Sequence, residues 1–159
     1  MTQILTDSGA LTRGFVKAID VDVRQRELST IVKIQASYTK GSQGQMPDRL
    51  FLKMVTADME DEYFGRSEVD YYTRDYMGLK EAPIVRCYHA AYSEELKRYH
   101  VLMDDLSNSH TTAAGKRPTV EYAFALAEGL ALCMRGGGAE KRLSNPVNSC
   151  LRSRGSGDL

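Results

Sequence analysis

Residues 49–55 read RLFLKMV, an apolar run interrupted by one lysine, Lys53. A short apolar run that follows polar turn residues is typical of a buried strand. An unpaired ammonium group in such a strand would cost several kcal/mol, so Lys53 needs a carboxylate partner or an anionic ligand. Glu68, in the first turn of the helix predicted next, is the best candidate partner. The alternative is an edge strand from which Lys53 reaches solvent along its own aliphatic stem.

Two strands are predicted before this run. Residues 15–24 alternate apolar and polar side chains, and residues 30–39, TIVKIQASYT, are rich in β-branched and aromatic residues. A short helix containing Ile4, Leu5 and Leu11, interrupted at Gly9 and Gly14, is predicted at the start of the chain. Residues 40–48, KGSQGQMPD, have the composition of an exposed turn.

A helix and a hairpin are predicted after residues 49–55. Residues 66–78 place Val69, Tyr72 and Tyr76 at helical spacing, with Ser67 as the N-cap and Gly78 just past the end. Residues 84–92 and 98–106 are two strand-like runs separated by a short turn, which predicts a hairpin. A second helix follows over residues 120–134, with an apolar stripe at Phe124, Ala127, Ala131 and Met134. The fold class is therefore α+β, a five-stranded antiparallel sheet with one packed helix.

This order of elements resembles the N-terminal lobe of a protein kinase-like fold, in which a strand lysine held by a helix glutamate faces nucleotide phosphates. The matching stretches are LSTIVKIQASYT, MPDRLFLKMV, SEVDYYTRDY, IVRCYHAAYSEELKRYHVLMDDLSNSHT and EYAFALAEGLALC, which lie within residues 15–134. In these stretches the chain resembles the aminoglycoside phosphotransferase and choline kinase-like superfamily, in particular its bacterial, ecdysteroid-kinase-like branch.

The resemblance implies an ATP site with Mg²⁺ as the accompanying ion. Lys53 would contact the α and β phosphates, Glu68 would hold Lys53, and backbone groups at Asp104, Asp105 and Leu106 would bind the adenine edge. The turn over residues 24–30, RQRELST, would close over the phosphates. It contains no glycine, so the resemblance assigns Ser29 and Thr30 as the phosphate-side donors, with backbone N–H groups as a further source.

The resemblance also implies three segments: a nucleotide-binding lobe over 1–106, a linker and first helix of a C-terminal lobe over 107–135, and a tail over 136–159. In the superfamily, the catalytic base and the Mg²⁺ ligands lie in that C-terminal lobe, within a His-Gly-Asp loop, a downstream Asn and a further Asp motif. None of these occurs in the sequence, and the closing Ser156-Gly157-Asp158 has serine in place of the histidine. No catalytic residue and no metal ligand is therefore assigned.

Two interpretations of the tail remain open. Residues 136–159 hold hardly any large apolar side chains and no aromatic residue, so we expect them to be disordered. A natural glycine-rich tail is one explanation. The other is a frameshift near Cys133, because the codons available for Cys133 to Gly138 can spell His-Ala-x-Trp-Trp when read one base before the Met134 codon, as family members often continue.

Composition excludes several function classes. Lys and Arg number 21 and Asp and Glu 21, with no long block of one sign, so nucleic acid is not an expected partner. No apolar run approaches the length of a membrane span and no signal core opens the chain, so we expect a cytoplasmic protein without a membrane partner. Three distant cysteines, Cys87, Cys133 and Cys150, are expected to be reduced thiols, and three scattered histidines show no metal-ligand spacing.

Two hypotheses for function follow. The first is the ATP-binding lobe of a small-molecule phosphotransferase, whose full-length relatives transfer the γ-phosphoryl group of Mg·ATP to a hydroxyl group, this chain itself being inactive. Its partners are a nucleotide and a small-molecule acceptor of unknown identity. The second is a non-catalytic interaction module with a kinase-like lobe, which self-associates through surface that a C-terminal lobe would cover.

Overall fold

A computed structural model of the chain describes residues 1–55, 66–75 and 83–136. In chain order its elements are helix α1 (Thr2–Asp7), strands β1 (Leu11–Arg13), β2 (Val16–Gln25), β3 (Ser29–Tyr38), β4 (Gln43–Gly44) and β5 (Arg49–Val55), helix α2 (Ser67–Asp70), a π-helical turn (Tyr71–Asp75), strands β6 (Cys87–Ser93) and β7 (Arg98–Asp104), and helix α3 (Val120–Gly136). The described residues fall into two compact units. Residues 1–55, 66–74 and 84–116 form the first, and residues 75, 83 and 117–136 belong to the second.

The first unit is built on a five-stranded antiparallel sheet with the order β2-β3-β5-β7-β6. The predicted α+β class and the five antiparallel strands are confirmed. Strand β5 is the central strand, and Lys53 pairs with Ile31 on one side and Val101 on the other. The edge-strand interpretation of Lys53 is therefore wrong, because β5 has a hydrogen-bonded neighbour on each side.

Strand β2 lies at the edge of the sheet and carries a β-bulge. Its register on β3 shifts between Val16 and Ala18, so that Val16 opposes Tyr38 and Ala18 opposes Ser37. The extra residue in β2 explains why the apolar alternation in the sequence changes phase at this point. The predicted strand is confirmed, but its apolar row is not buried. Val21 and Val23 are 56% and 57% exposed, and neither belongs to the apolar cluster on either face of the sheet.

The two faces of the sheet hold separate apolar clusters. On the first face, Leu5 of α1 and Leu11 of β1 pack with Val32, Leu50 and Leu102 of the sheet. On the second face, Val69 of α2 packs with Val55, Tyr99 and Val101. Alternate residues of each strand serve each face, so Lys53 shares the second face with Val55 and Val101.

The start of the chain differs from the prediction. Helix α1 ends at Asp7, and Leu11 lies in β1, which pairs with β4 inside the segment predicted as an exposed turn. Gly44 makes this pairing possible, because its φ is +122° and a Cβ there would lie 2.5 Å from the backbone oxygen of Ala10. A two-residue strand that contains a glycine has too little alternation to be recognised in the sequence.

Helix α2 confirms the predicted helix in part. It begins at Ser67 with Arg66 as the N-cap, so the predicted cap is displaced by one residue. The hydroxyl of Thr73 donates to the backbone oxygen of Val69 at 2.8 Å within the π-helical turn that follows. Tyr76 and Gly78 lie outside the described residues.

The second unit contains α3, which confirms the predicted second helix. The hydroxyl oxygen of Thr119 accepts from the backbone N–H of Tyr122 at 3.2 Å and so caps the first turn. Within this unit Gly129 faces Pro83, whose ring would lie 3.0 Å from a Cβ at that position. The predicted tail, apart from its first residue, lies outside the described residues. Across the part of the chain that is described, the helices fall short of the length and apolarity that crossing a membrane requires.

The first-face cluster generates a stability prediction. Leu50 is fully buried at the centre of the sheet, whereas Leu96 is 60% exposed in the turn between β6 and β7. We expect Leu50→Ala to lower the free energy of unfolding by about 2–5 kcal/mol, because it removes buried methyl groups and leaves a cavity. Leu96→Ala, the matched control, should change it by less than about 0.5 kcal/mol. Urea denaturation followed by circular dichroism measures both, and equal effects would contradict the placement of Leu50 in the core.

Candidate functional site

The candidate site begins with the ammonium group of Lys53. Its Nζ donates to Oε1 of Glu68 at 3.0 Å and to Oε2 at 2.7 Å. The Lys53 and Glu68 side chains are 33% and 25% exposed, so the pair lies between core and solvent. The ion pair predicted from the sequence is therefore confirmed. A lysine ammonium group has three donors, and two directed at Glu68 leave a third for another acceptor.

Tyr99 completes a three-residue network around this pair. Its hydroxyl donates to Oε2 of Glu68, and its ring centroid lies 5.9 Å from Nζ of Lys53. Burial, with the bonded carboxylate of Glu68, raises the pKa of Tyr99 well above its ordinary value, so the hydroxyl stays a donor. Sequence reasoning missed Tyr99. Its place beside Glu68 follows from the register that makes Val101, two residues further on, the cross-strand partner of Lys53, and the sequence carries no signal of that register.

A cavity of about 570 Å³ opens beside this network. Its lining includes Lys53, Glu68 and Tyr99, together with residues from the β2–β3 turn, the start of β3, the end of β5, the start of α2 and the π-helical turn: Leu28, Ser29, Val55, Ser67 and Tyr71. The turn predicted to close over phosphates therefore lies next to Lys53. Ser29 is the residue of the predicted donor pair that lines the cavity.

Thr30 and Asp104 are not brought to the cavity. Thr30 is paired with Met54, and Asp104 with Leu50, which places both on the first face of the sheet. There Asp104 accepts a hydrogen bond from the hydroxyl of Tyr88. The side chains of Thr30 and Asp104 therefore cannot act beside Lys53. The contact that the resemblance implies for Asp104 is made by its backbone groups, and the position of its side chain does not affect it.

Asp105 and Leu106 follow the end of β7. The backbone N–H of Asp105 donates to the oxygen of Arg49 at 3.3 Å, and the oxygen of Leu106 accepts from the N–H groups of Ser109 and His110. Arg49 precedes Lys53 by four residues on β5, so this segment lies about 13 Å along the strand from the backbone of Lys53. A single ligand that contacts both Lys53 and the segment at Asp105 and Leu106 would have to be extended.

The carboxylate of Asp105 is held by several donors. It accepts from Arg49 at 3.1 Å and from the side chain and backbone N–H of Ser107, and its side chain is 4% exposed. Burial alone would raise the pKa of Asp105. The bonds from Ser107 and Arg49 and the charge of Lys33 outweigh burial and lower that pKa to about 2. Asp105 is therefore an anion at neutral pH, and its bonds fix the residues that lead into the linker.

The described residues contain no group of three or more histidine, cysteine, aspartate or glutamate side chains placed to hold a metal ion. At the cavity, both oxygens of Glu68 are bonded to Lys53. Comparison of the chain with protein-family models, curated proteins and solved structures finds no match.

The tyrosine contact generates a second prediction. We expect Tyr99→Phe to lower the free energy of unfolding by about 1.5–3 kcal/mol, because it removes a hydrogen bond to a charged, half-buried carboxylate. Tyr92→Phe is the matched control. Tyr92 is the direct cross-strand partner of Tyr99 in the same cluster, and none of the hydrogen bonds found among the described residues involves its hydroxyl. Chemical denaturation of both variants tests this, and an equal small effect would show that the bond to Glu68 contributes nothing.

Two aspartate–arginine pairs, Asp105 with Arg49 and Asp22 with Arg24, generate a third prediction. Both pairs have N–O distances of 3.1 Å, but the first is more buried than the second. The pKa of Asp105 is about 2 in the folded protein, against an ordinary value of 3.8. This difference corresponds to a contribution of about 2 kcal/mol to the free energy of unfolding. Because this pKa is lowered, the stabilisation is complete above pH 3.8 and is lost as the pH falls through about 2. We expect Asp105→Asn to destabilise by about that amount at pH 7 and to converge with the wild type at acid pH.

The control for that prediction is Asp22→Asn, which breaks the exposed pair with Arg24. An exposed pair contributes about 0–1 kcal/mol, so this variant should follow the wild type at every pH. Thermal or urea unfolding between pH 2 and pH 7 measures both variants. If Asp105→Asn loses the same stability at every pH, its effect comes from altered packing and hydrogen bonding and not from the lost charge.

Proposed function

We propose that this chain is the nucleotide-binding lobe of a small-molecule phosphotransferase and that it binds ATP at the cavity beside Lys53. The observation that carries the proposal is the Lys53–Glu68 ion pair, which joins the central strand to the helix that follows it and lies at the wall of a cavity. Kinases use this combination, a strand lysine held by a helix glutamate, to position an ammonium group against nucleotide phosphates.

The fold supports the proposal at a coarser level. A five-stranded antiparallel sheet with a helix inserted after the third of its strands is compatible with the N-terminal lobe of a kinase-like protein. A fold alone does not define a function, so the proposal depends on the site and not on the sheet.

The cavity has features that suit a nucleotide. Its volume lies within the range of about 300–1,000 Å³ common for small-molecule sites. Lys53 would direct its third N–H at a phosphate oxygen, and Ser29 would add a neutral donor from the turn. The opposite end of the ligand would reach the segment at Asp105 and Leu106, where the resemblance places the adenine edge.

Mg²⁺ fits this part of the chain less well. When bound, it would neutralise phosphate charge. Glu68 is the carboxylate at the cavity wall among the described residues, and its oxygens are taken by Lys53 and Tyr99. Lys53 would therefore hold phosphate, and the carboxylate ligands of the ion would come from groups that these residues do not provide.

Phosphoryl transfer also needs a group that accepts or positions the proton of the acceptor hydroxyl. The sequence contains no His-Gly-Asp loop to supply it. The proposal for this chain is therefore nucleotide binding, with transfer to a hydroxyl group as the activity of full-length relatives. A small-molecule acceptor remains part of the proposal without a chemical identity.

A second candidate function is an interaction module that associates with a second copy of itself. The observation in its favour is the edge strand β2, where Ile19, Val21 and Val23 are each at least 46% exposed in one row. An exposed apolar edge strand is a template for strand pairing. This candidate predicts concentration-dependent sedimentation without nucleotide binding.

Calorimetric titration of the chain with Mg·ATP tests the first proposal. We expect Lys53→Met to weaken ATP binding by at least about tenfold, because it removes a charge-assisted hydrogen bond to phosphate, and to leave adenosine binding unchanged. Lys17→Met is the matched control, since it removes the same charge from β2 at the end remote from the β2–β3 turn. Circular dichroism confirms that the variants fold.

Three results would count against the proposal. Equal ATP affinity in the wild type and Lys53→Met would remove the phosphate role of Lys53. An equal loss in Lys17→Met would mean that net charge, not position, decides binding. If the wild type binds no nucleotide and sediments as an oligomer, the interaction module becomes the better description.

A further inference from the structure

Two histidines that are eleven residues apart meet on the β6–β7 hairpin. Nδ1 of His89 and Nε2 of His100 lie 2.8 Å apart, and the two ring planes differ by 14°. His89 is exposed and His100 is half-buried, so solvent reaches the pair. One nitrogen donates to the other, which requires that at least one ring is neutral.

A β-bulge brings these two side chains together. The register between β6 and β7 shifts between Cys87, which opposes Met103, and His89, which opposes Leu102. Without that extra residue, His89 would oppose Val101 and point to the second face, away from His100. With it, His89 and His100 are diagonal neighbours on the first face. Bulges commonly redirect a side chain in this way.

We propose that His89 and His100 form a two-imidazole site for a divalent late transition-metal ion such as Zn²⁺, with water completing its coordination. These ions bind neutral imidazole nitrogens well, whereas the hard ions Mg²⁺ and Ca²⁺ prefer oxygen ligands. Zn–N bonds of about 2.0–2.1 Å at a tetrahedral angle separate two nitrogens by about 3.3 Å, so the rings need to open by about half an ångström. As the ion binds, the proton between the rings would pass through water to the other nitrogen of the donating imidazole, so that both rings stay neutral and each directs a lone pair at the ion.

Two other chemistry-bearing side chains near this hairpin, Cys87 and Lys53, lie on the opposite face of the sheet. The thiol of Cys87 belongs to the cluster on the second face and cannot join the pair. Lys53 lies on that second face as well, so the histidine site is separate from the proposed nucleotide site.

Titration of the chain with ZnCl₂ at neutral pH tests the proposal by calorimetry. Two linked ligands bind far more tightly than either alone, so His89→Gln and His100→Gln should each weaken zinc binding by at least about tenfold. His110→Gln is the matched control, because His110 lies in the linker with its Nδ1 at 2.8 Å from the hydroxyl of Ser109. MgCl₂ should give no heat at the histidine pair, and ATP binding should be the same in all three variants.

A second measurement needs no variant. Side-chain ¹⁵N spectra of the wild type should show zinc-dependent shifts at two of the three histidines, those assigned to His89 and His100. The proposal is overturned if zinc leaves these two resonances unchanged, or if both glutamine variants bind zinc as the wild type does, which would place the ion on cysteine thiols instead.

Discussion

The ammonium group of Lys53 imposes the strongest constraint on the sheet. It projects from the central strand, where an isolated charge would be costly, and it is tolerated because Glu68 neutralises it at 2.7 Å. The partner comes from a helix, so the ion pair ties α2 to the sheet. Val69, the residue after Glu68, packs against the same face and adds apolar contact to the electrostatic one. A charged group and an apolar group one residue apart thus set where this short helix lies.

Tyr99 shows how the sheet supports that constraint. Its ring belongs to the apolar cluster of the second face, and its hydroxyl reaches Glu68. One aromatic side chain therefore fills space beside the pair and satisfies an oxygen of the carboxylate. Burial, and then the contact with Glu68, raise the pKa of Tyr99, since an ionised hydroxyl would be poorly solvated there and repelled by the carboxylate.

The sequence was informative where a pattern is local or chemically costly. The apolar run around Lys53, the alternation in β2 and the helical spacing at Val69 and Tyr72 predicted real elements, and the cost of a buried charge predicted the pair with Glu68. Features that depend on register could not be predicted. A bulge beside Cys87 decides which face His89 occupies, and a positive φ at Gly44 permits the pairing of β4 with β1. Each depends on how one residue is placed against a partner strand, and the periodicity within a single strand does not record that placement.

The charge balance of the Lys53–Glu68 pair limits what the site can do on its own. Lys53 and Glu68 cancel in charge and Tyr99 stays neutral, so the network offers a directed donor without a net positive field. A triphosphate brings several negative charges into a cavity with that balance, and their repulsion has to be offset by a divalent ion or by further cations. The carboxylate oxygens that would hold such an ion are already bonded at Glu68. On the proposed function, Lys53 would therefore orient a phosphate, while neutralising the phosphate charge and transferring the phosphoryl group would require carboxylates that this network does not supply.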